Sequence, residues 1–240
     1  MTSSTDTATG VDGSVLHRLG RGRPGGYAGR DVVMSGLGRI RDYARVSGGT
    51  LVADALVDGQ ARVHDSLISG GANVTGSARV TAATVDGPCS IRECATITGP
   101  DTVVRGETHM SGTASVGPGT HVNGARLSGR AKVSRVRIIG PAVIGLGASV
   151  CAPVPSRFIP VAHRPHIYAA AFIESASDVF ISPPLDGHGR SLVAYRTRAG
   201  REYTFGSDII ADPRAVLTRL GRSPLVVEVT ERLQRWQLRR

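Results

Sequence analysis

Residues 61–80, ARVHDSLISGGANVTGSARV, begin with Ala-Arg-Val, and the same tripeptide begins again seventeen residues later. Around this stretch, aliphatic residues recur every five or six positions from Ile40 to Val150, with one interval of seven between Ile97 and Val104. An α-helix would give a period of 3.6 and a strand simple alternation, so neither element alone explains the spacing. Because three such steps make a unit of seventeen, the stretch indicates a coil with three sides.

The recurring residues form three columns when every third one is taken together. The columns are Val46, Val63, Val80, Ile97, Val116, Val133 and Val150; Val52, Ile68, Val85, Val104, Val122 and Ile138; and Val57, Val74, Ile91, Met110, Leu127 and Ile144. All are apolar, with a small residue usually two positions before and a glycine or other turn former often two positions after. Each turn would therefore bury one residue per side against its neighbours. This pattern predicts an all-β solenoid, a parallel β-helix of about six coils.

The repeat unit places a small residue, an aliphatic residue and a glycine at alternate positions, as in Ala72-Asn-Val74-Thr-Gly76. Such units resemble those of hexapeptide-repeat proteins, the LpxA-like superfamily, over residues 34–152. The mixed steps of five and six resemble a branch found in bacteria and phages more closely than the strict hexads of the family's acyltransferases. The resemblance implies a left-handed β-helix, and a homotrimer if the chain is an enzyme.

The pattern divides the chain into four segments. Residues 1–27 are polar and are predicted to be a flexible leader and entry loop, followed by the parallel β-helix at 28–152. The four prolines of CAPVPSRFIPVAHRPH predict a linker at 153–166 that cannot continue the ladder. Residues 167–240 are predicted to form a small α+β domain.

Local signals outline this last segment. Alternation and a central turn predict a β-hairpin within 191–205, and Asp212-Pro213 predicts the start of a helix that ends at Gly221. Residues 225–229 are predicted as a strand, followed by a short helix from Thr230. The run SDVFISPPLDGHGRSLVAYRTRAGREYTFG resembles a small C-terminal domain that often follows such β-helices in the same branch, and the likeness implies architecture only.

The basic residues are almost all arginine: the net charge is +10, and Lys132 is the one lysine among 29 basic residues. Such a bias is expected from genome-wide base composition and also from a surface that binds anions. Arg45, Arg62 and Arg79 each precede a valine of the first column, so they should stack outward on one face about one strand spacing apart. The same row continues through Thr96, Ser115, Lys132 and Ser149.

Guanidinium groups bind carboxylate and phosphate groups well, and stacked like charges repel each other unless an anion lies between them. Arg45, Arg62 and Arg79 are therefore the candidate ligand-binding residues. The partner implied is an acidic protein or another polyanion. A solvated polar face, which any solenoid must have, predicts the same residues.

The resemblance also suggests catalytic candidates. Acyltransferases of this superfamily use a histidine as general base in a cleft between subunits, with acyl-CoA or an acyl carrier lying along the coils. This makes His64, His109 and His121 the candidates, with acetyl-CoA or acyl-CoA as cofactor under that hypothesis only. Alternation turns all three outward, where a solvated histidine would also lie. The chain lacks the long inserted loop that usually closes the cleft, and no two of these histidines share a column in successive coils, which argues against a metal site.

Composition bears on the compartment. The three cysteines, Cys89, Cys94 and Cys151, indicate free thiols in a reducing environment. The N-terminal residues do not resemble a signal peptide, and no apolar run approaches the length of a membrane span. We therefore expect a cytoplasmic protein with no membrane partner.

Three functional hypotheses follow. The first is a non-catalytic scaffold or binding protein that docks partners on its flat faces, with a C-terminal domain that caps the solenoid or binds a partner. The second is an acyl- or acetyltransferase-like enzyme acting as a homotrimer, which CoA-dependent turnover would identify. The third is binding of nucleic acid or another polyanion through the arginine row, which a steep loss of binding with added salt would identify.

Overall fold

The structure is a computed structural model that describes residues 7–10, 15–18, 25–140, 142–152, 159–161, 165–168 and 171–238. Most of these residues form a parallel β-solenoid of about 7 turns, and two short helices lie near the C-terminal end. The apolar columns form the core, where members such as Val80, Val85 and Ile91 are fully buried. The prediction of a solenoid built on stacked aliphatic residues is confirmed.

The solenoid has three sides, named A, B and C in the order in which the chain visits them. Side A contains Tyr27–Ala28, Arg45–Ser47, Arg62–His64, Ser115–Val116, Lys132–Ser134, Ser149–Cys151 and Phe172–Ile173. Side B contains Val33–Ser35, Leu51–Ala53, Leu67–Ser69, His121–Asn123, Val136–Ile139 and Ile159–Val161. Side C contains Arg39–Ile40, Leu56–Val57, Asn73–Val74, Ser90–Ile91, His109–Met110, Arg126–Leu127, Val143–Ile144 and His166–Ile167. Two longer strands turn the corner from side A to side B: Arg79–Asp86 and Thr96–Arg105.

One corner absorbs the irregular spacing before Val104. Along the two longer strands, Thr81 lies opposite Thr98 and Ala83 lies opposite Thr102, so three residues of the later strand face one residue of the earlier strand. Beyond the corner the ladder resumes in register, with Val85 opposite Val104. The insertion therefore bulges at the corner and leaves both sides intact.

The predicted linker at 153–166 adds two strands to the ladder. Ile159–Val161 extends side B and His166–Ile167 extends side C. On side B, the amide of Leu51 donates to Ser66 of the following turn, and the proline in Ile159–Val161 occupies the equivalent position. In the described part of the chain no later strand of side B requires that missing amide, so the proline is tolerated at this edge. The prediction that the segment cannot continue the ladder is wrong, and the solenoid has about 7 turns rather than six.

Strands also occur within residues 1–27, which were predicted to be a flexible leader. Thr7–Thr9 pairs antiparallel with Val15–Arg18, which pairs antiparallel with Tyr27–Ala28 of side A. Leu16 points inward and is fully buried. The leader prediction is wrong for these strands, because burying Leu16 over the first turn orders them. Within the predicted leader and linker, residues 1–6, 11–14, 19–24, 153–158 and 162–164 lie outside the described residues.

The C-terminal residues form an antiparallel sheet with two helices. Its elements are the 3-10 helix Ala176–Asp178, the strands Val179–Pro184, Ser191–Thr197, Gly200–Phe205 and Asp208–Ile210, and the helices α1 (Pro213–Arg219) and α2 (Pro224–Leu238). The predicted hairpin is confirmed by the pairing of its strands. The predicted start of α1 is also confirmed, since an Asp212 carboxylate oxygen accepts the amide of Arg214 at 2.9 Å.

The predicted strand at 225–229 is wrong, because α2 runs through it without a break. Its valines favoured a strand, but Pro224 suits the first turn of a helix, and the pattern over the whole segment has helical spacing. The residues that α2 buries are Val226, Val229, Leu233 and Trp236.

The C-terminal sheet packs end-on against the last turn of the solenoid. Val193 and Tyr195 on one face belong to the same apolar cluster as the solenoid columns, and residues that alternate with them pack on α1 and α2. The hydroxyl of Thr204 donates to the carbonyl oxygen of His166 at 2.8 Å across the junction. The C-terminal sheet is therefore joined to the last turn by apolar packing and by this hydrogen bond.

Candidate functional site

The backbone register places the predicted arginine row on side A. Arg45 lies opposite Arg62, and Arg62 lies opposite Arg79. Each precedes a buried valine of the first column, so the pleat directs it outward. The register carries the row onward, as the repeat predicts, through Thr96, Ser115, Lys132 and Ser149.

The three arginines differ in what surrounds them. Arg62 and Arg79 are exposed, whereas Arg45 is half-buried and donates from Nη1 to the carbonyl oxygen of Thr9 at 3.2 Å. The N-terminal strand Thr7–Thr9 therefore already uses one of the hydrogen-bond donors of the Arg45 guanidinium. In the described part of the chain, neither Arg62 nor Arg79 forms an ion pair. These two residues leave the most charge available to a ligand.

Side A holds no acidic residue at its outward positions from Arg45 to Cys151. Besides the arginine row, the alternate positions of side A form a second row of small residues and one histidine, of which Ser47 is covered: Ser47, His64, Thr81, Thr98, Gly117, Ser134 and Cys151. The outward positions thus combine guanidinium groups with hydroxyl-bearing side chains, and the carboxylate of Asp65 adjoins them at His64. We call this surface the basic face.

His64 takes part in a hydrogen-bonded group that spans two turns. Its Nδ1 lies 3.0 Å from the hydroxyl oxygen of Ser47, and its Nε2 lies 3.2 Å from an Asp65 carboxylate oxygen. The other carboxylate oxygen of Asp65 accepts the amide of Gly49 at 3.0 Å. The three side chains follow one another as serine, histidine and aspartate, but Ser47 is only 1% exposed beneath the ring. The group therefore fixes the corner of two turns and does not present a nucleophile.

The other two catalytic candidates lie on different sides. His109 is exposed on side C, opposite Ser90 and Arg126, and His121 is half-buried on side B. Within one chain the structure does not bring His64, His109 and His121 together. Among the described residues, no group of three or more histidine, cysteine or acidic side chains is placed to hold a metal ion.

The sequence interpretation missed the partners of His64. Ser47 precedes it by seventeen residues, so the repeat length itself predicts that the two lie side by side. Asp65 follows His64 directly and adopts a φ of +47°, which turns its carboxylate back toward the ring and toward Gly49. A search for polar residues one repeat apart would have found Ser47, but the turn at Asp65 has no equally clear sequence signal.

A cavity of about 440 Å³ adjoins the far end of the basic face. It lies between the last turn and the C-terminal hairpin, and its lining includes Ser149, Phe172, Arg198 and Glu202. The Arg198 guanidinium lies 5.3 Å from the centre of the Phe172 ring, and the Tyr195 hydroxyl donates to Glu202 at 3.1 Å. None of the three candidate histidines lines it.

Neither helix in the described part of the chain is long and apolar enough to cross a membrane. Comparisons with protein-family models, with curated proteins and with solved structures find no match to this chain. The likeness to hexapeptide-repeat proteins therefore rests on the repeat units, and the structure establishes a parallel β-solenoid of about 7 turns.

Proposed function

We propose that the chain is a non-catalytic binding protein: a rigid solenoid whose basic face binds an acidic protein or another polyanion. The observation that carries this proposal is the pair Arg62 and Arg79, both exposed, in register on adjacent turns and without an ion pair in the described part of the chain. The proposal includes the left-handed, hexapeptide-repeat identity that the repeat units imply, a cytoplasmic location, and a capping role for the C-terminal unit.

The chemistry of the basic face supports an anionic partner. A guanidinium group donates two parallel hydrogen bonds to one carboxylate or phosphate group, and two such groups one strand spacing apart, about 4.8 Å, repel each other until an anion bridges them. Thr96 and Ser115 continue the row, and the Ser115 hydroxyl supplies a further donor, whereas that of Thr96 donates to the carbonyl oxygen of Cys94 at 3.4 Å. The net charge of +10 adds long-range attraction for an anionic chain.

The enzyme hypothesis stays an alternative that no specific observation favours. It needs an acceptor and acetyl-CoA or acyl-CoA beside His64, His109 or His121, in a cleft completed by other subunits of a homotrimer. The two ring nitrogens of His64 already lie within 3.0 and 3.2 Å of Ser47 and Asp65. Light scattering on a sizing column separates the hypotheses: a monomer excludes a shared cleft, and a trimer warrants acetyl-CoA binding assays with His→Ala variants.

The direct test replaces both exposed arginines. The Arg62→Gln/Arg79→Gln variant should bind labelled poly-L-glutamate about tenfold more weakly than the wild type in fluorescence anisotropy, because charge-assisted hydrogen bonds are lost. A labelled single-stranded oligonucleotide in a second arm distinguishes phosphate from carboxylate partners. For phosphate, the slope of log affinity against log salt should fall by about two.

The matched control is Arg126→Gln/Arg137→Gln, which removes the same charge from exposed positions on sides C and B. It should retain most of the affinity. Equal losses in both double variants would show that net charge alone drives binding. Absence of binding by the wild type to either polyanion would contradict the proposed function.

A further inference from the structure

A second concave site lies in the C-terminal unit, away from the basic face. It is a cavity of about 330 Å³ between the 3-10 helix Ala176–Asp178, the following strand and the end of α2. The side chains that define its chemistry are those of Phe180, Arg232, Arg235 and Trp236. Neither the solenoid repeat nor the proposed function accounts for this combination.

The apolar wall of this cavity is held rigidly. Trp236 is 6% exposed and Phe180 is 7% exposed, and both belong to the core between the sheet and the helices. The indole Nε1 of Trp236 donates to the carbonyl oxygen of Ser177 at 2.8 Å, which ties α2 to the 3-10 helix. Both rings are mostly covered by this core, so the apolar area that they offer a ligand is small but is already ordered before binding.

Two guanidinium groups line the cavity, those of Arg232 and Arg235, and a third, that of Arg201, lies beside the Trp236 ring. Arg232 lies over the ring of Phe180 at 5.9 Å and Arg201 lies over the ring of Trp236 at 5.3 Å. Arg235 follows Arg232 by three residues, so both project from one face of α2 into the cavity lining. Positive charge is thus concentrated where the apolar wall meets solvent.

The carboxylates close to this site are weakly placed or already engaged. Glu228 lies 3.5 Å from Arg232 as an exposed pair one helical turn apart, an arrangement that contributes little. Asp178 accepts hydrogen bonds from Ser175 and pairs with Arg196 at 3.4 Å. In the described part of the chain, Arg235 forms no ion pair, and its Nε donates to the backbone carbonyl oxygen of Glu231 within α2 at 3.4 Å.

We propose that this cavity binds a small ligand, or the terminal group of a larger one, in which a carboxylate or phosphate is attached to an apolar chain or ring. The apolar portion would pack against Trp236 and Phe180, and the anion would accept hydrogen bonds from Arg232 and Arg235. A volume of about 330 Å³ lies within the range of small-molecule sites. Neither an inorganic anion nor a neutral apolar molecule satisfies both halves of the site.

The chain supplies its own reporter, because Trp236 is its one tryptophan. Tryptophan emission of the full-length protein is followed during titration with hexyl phosphate, hexanoate, inorganic phosphate and hexanol. Hexyl phosphate or hexanoate should produce a saturable change, and the better of the two identifies the anion. Inorganic phosphate and hexanol should bind at least about tenfold more weakly, since each lacks half of the required contacts.

The variants separate a local site from general charge. Arg235→Gln should weaken binding of the better amphiphile about tenfold, and Arg232→Gln is a second variant for the same prediction. The matched control Arg219→Gln removes an exposed arginine from the end of α1 and should bind as the wild type does. The Arg62→Gln/Arg79→Gln variant should also respond as the wild type, because the site does not depend on the basic face.

Three results would overturn the proposal. One is the absence of a saturable change with either amphiphile. Another is equal affinity for inorganic phosphate and hexyl phosphate, which would show that the apolar wall contributes nothing. The third is an equal loss of affinity in Arg235→Gln and Arg219→Gln, with unchanged circular dichroism in both, which would show that net charge rather than the cavity binds the anion.

Discussion

In the solenoid each turn buries one aliphatic residue per side, whereas the C-terminal unit buries aromatic residues such as Phe180, Phe205 and Trp236 between a sheet and two helices. The first arrangement repeats along an axis and generates flat faces on which outward side chains form rows. The second does not repeat and leaves hollows between unlike elements. The difference indicates which ligands each region can bind: the rows of side chains on the solenoid fit an extended partner, and the cavities of the C-terminal unit fit a small ligand.

The largest expected effect tests the columns of the solenoid. Ile97→Ala removes a fully buried side chain from the middle of the first column and should lower the free energy of unfolding by about 2–5 kcal/mol. Urea denaturation followed by circular dichroism measures it. The neighbouring outward variant Thr96→Ala should stay within about 0.5 kcal/mol of the wild type.

The same variant tests how firmly the two regions are joined. Because Val193 and Tyr195 belong to the solenoid cluster, Ile97→Ala should shift the unfolding transition of Trp236 fluorescence together with that of the circular dichroism signal. A fluorescence midpoint that stays at its wild-type urea concentration would show that the C-terminal unit unfolds independently.

A second prediction concerns Cys89, which is buried in the solenoid. Burial raises the pKa of its thiol from 9.0 to about 11. Its neutral form is therefore favoured in the fold, and the stability this provides is complete below pH 9 and lost as the pH rises through 11. The loss should be about 2–3 kcal/mol in unfolding experiments at pH 8 and pH 11.

The control for this prediction distinguishes burial from general alkaline effects. Cys89→Ser keeps a donor for the carbonyl oxygens near the thiol but does not ionise in this range, so its stability should fall less between the two pH values. Cys94→Ser, at an exposed position, should keep the wild-type dependence. Identical pH dependence of wild type and Cys89→Ser would contradict the predicted origin of the effect.

The smallest expected effect lies in the C-terminal unit. Asp212→Ala removes the side chain that accepts the amide of Arg214 at the start of α1, which should cost about 1 kcal/mol. Asp212→Asn retains a capping oxygen and should cost less. Trp236 fluorescence during urea denaturation measures both variants, and equal losses would show that the cap itself contributes little.

The solenoid was predictable because its signal repeats. An aliphatic residue recurs at each column position in every turn, which gives the repeat length. The register that places Arg62 opposite Arg79 follows directly from that length. The extra strand at Ile159–Val161 was missed, because a proline argues against a ladder unless its missing amide faces an open edge, which a local pattern does not specify.

The C-terminal unit was less predictable because each element occurs once. The valines at the start of α2 favoured a strand locally, and only the later residues Leu233 and Trp236 establish the helical period. The cavity beside Trp236 combines residues more than fifty positions apart, Ser177 and Trp236 among them, so no motif reveals it. The spacing predicts the arginine row of the basic face. It does not predict that Arg45 differs from Arg62 and Arg79, because that difference arises from the hydrogen bond that Arg45 donates to Thr9.

The corner where Gly99 to Asp101 face Ala82 has a consequence for how such a chain changes over time. Since the ladder resumes in register with Val85 opposite Val104, a length change at a corner is isolated from both adjoining sides. Insertions acquired during evolution, or peptide epitopes grafted by design, would therefore be displayed at this position without disturbing the rows. The strands of the three sides must therefore keep their spacing, whereas this corner can change in length.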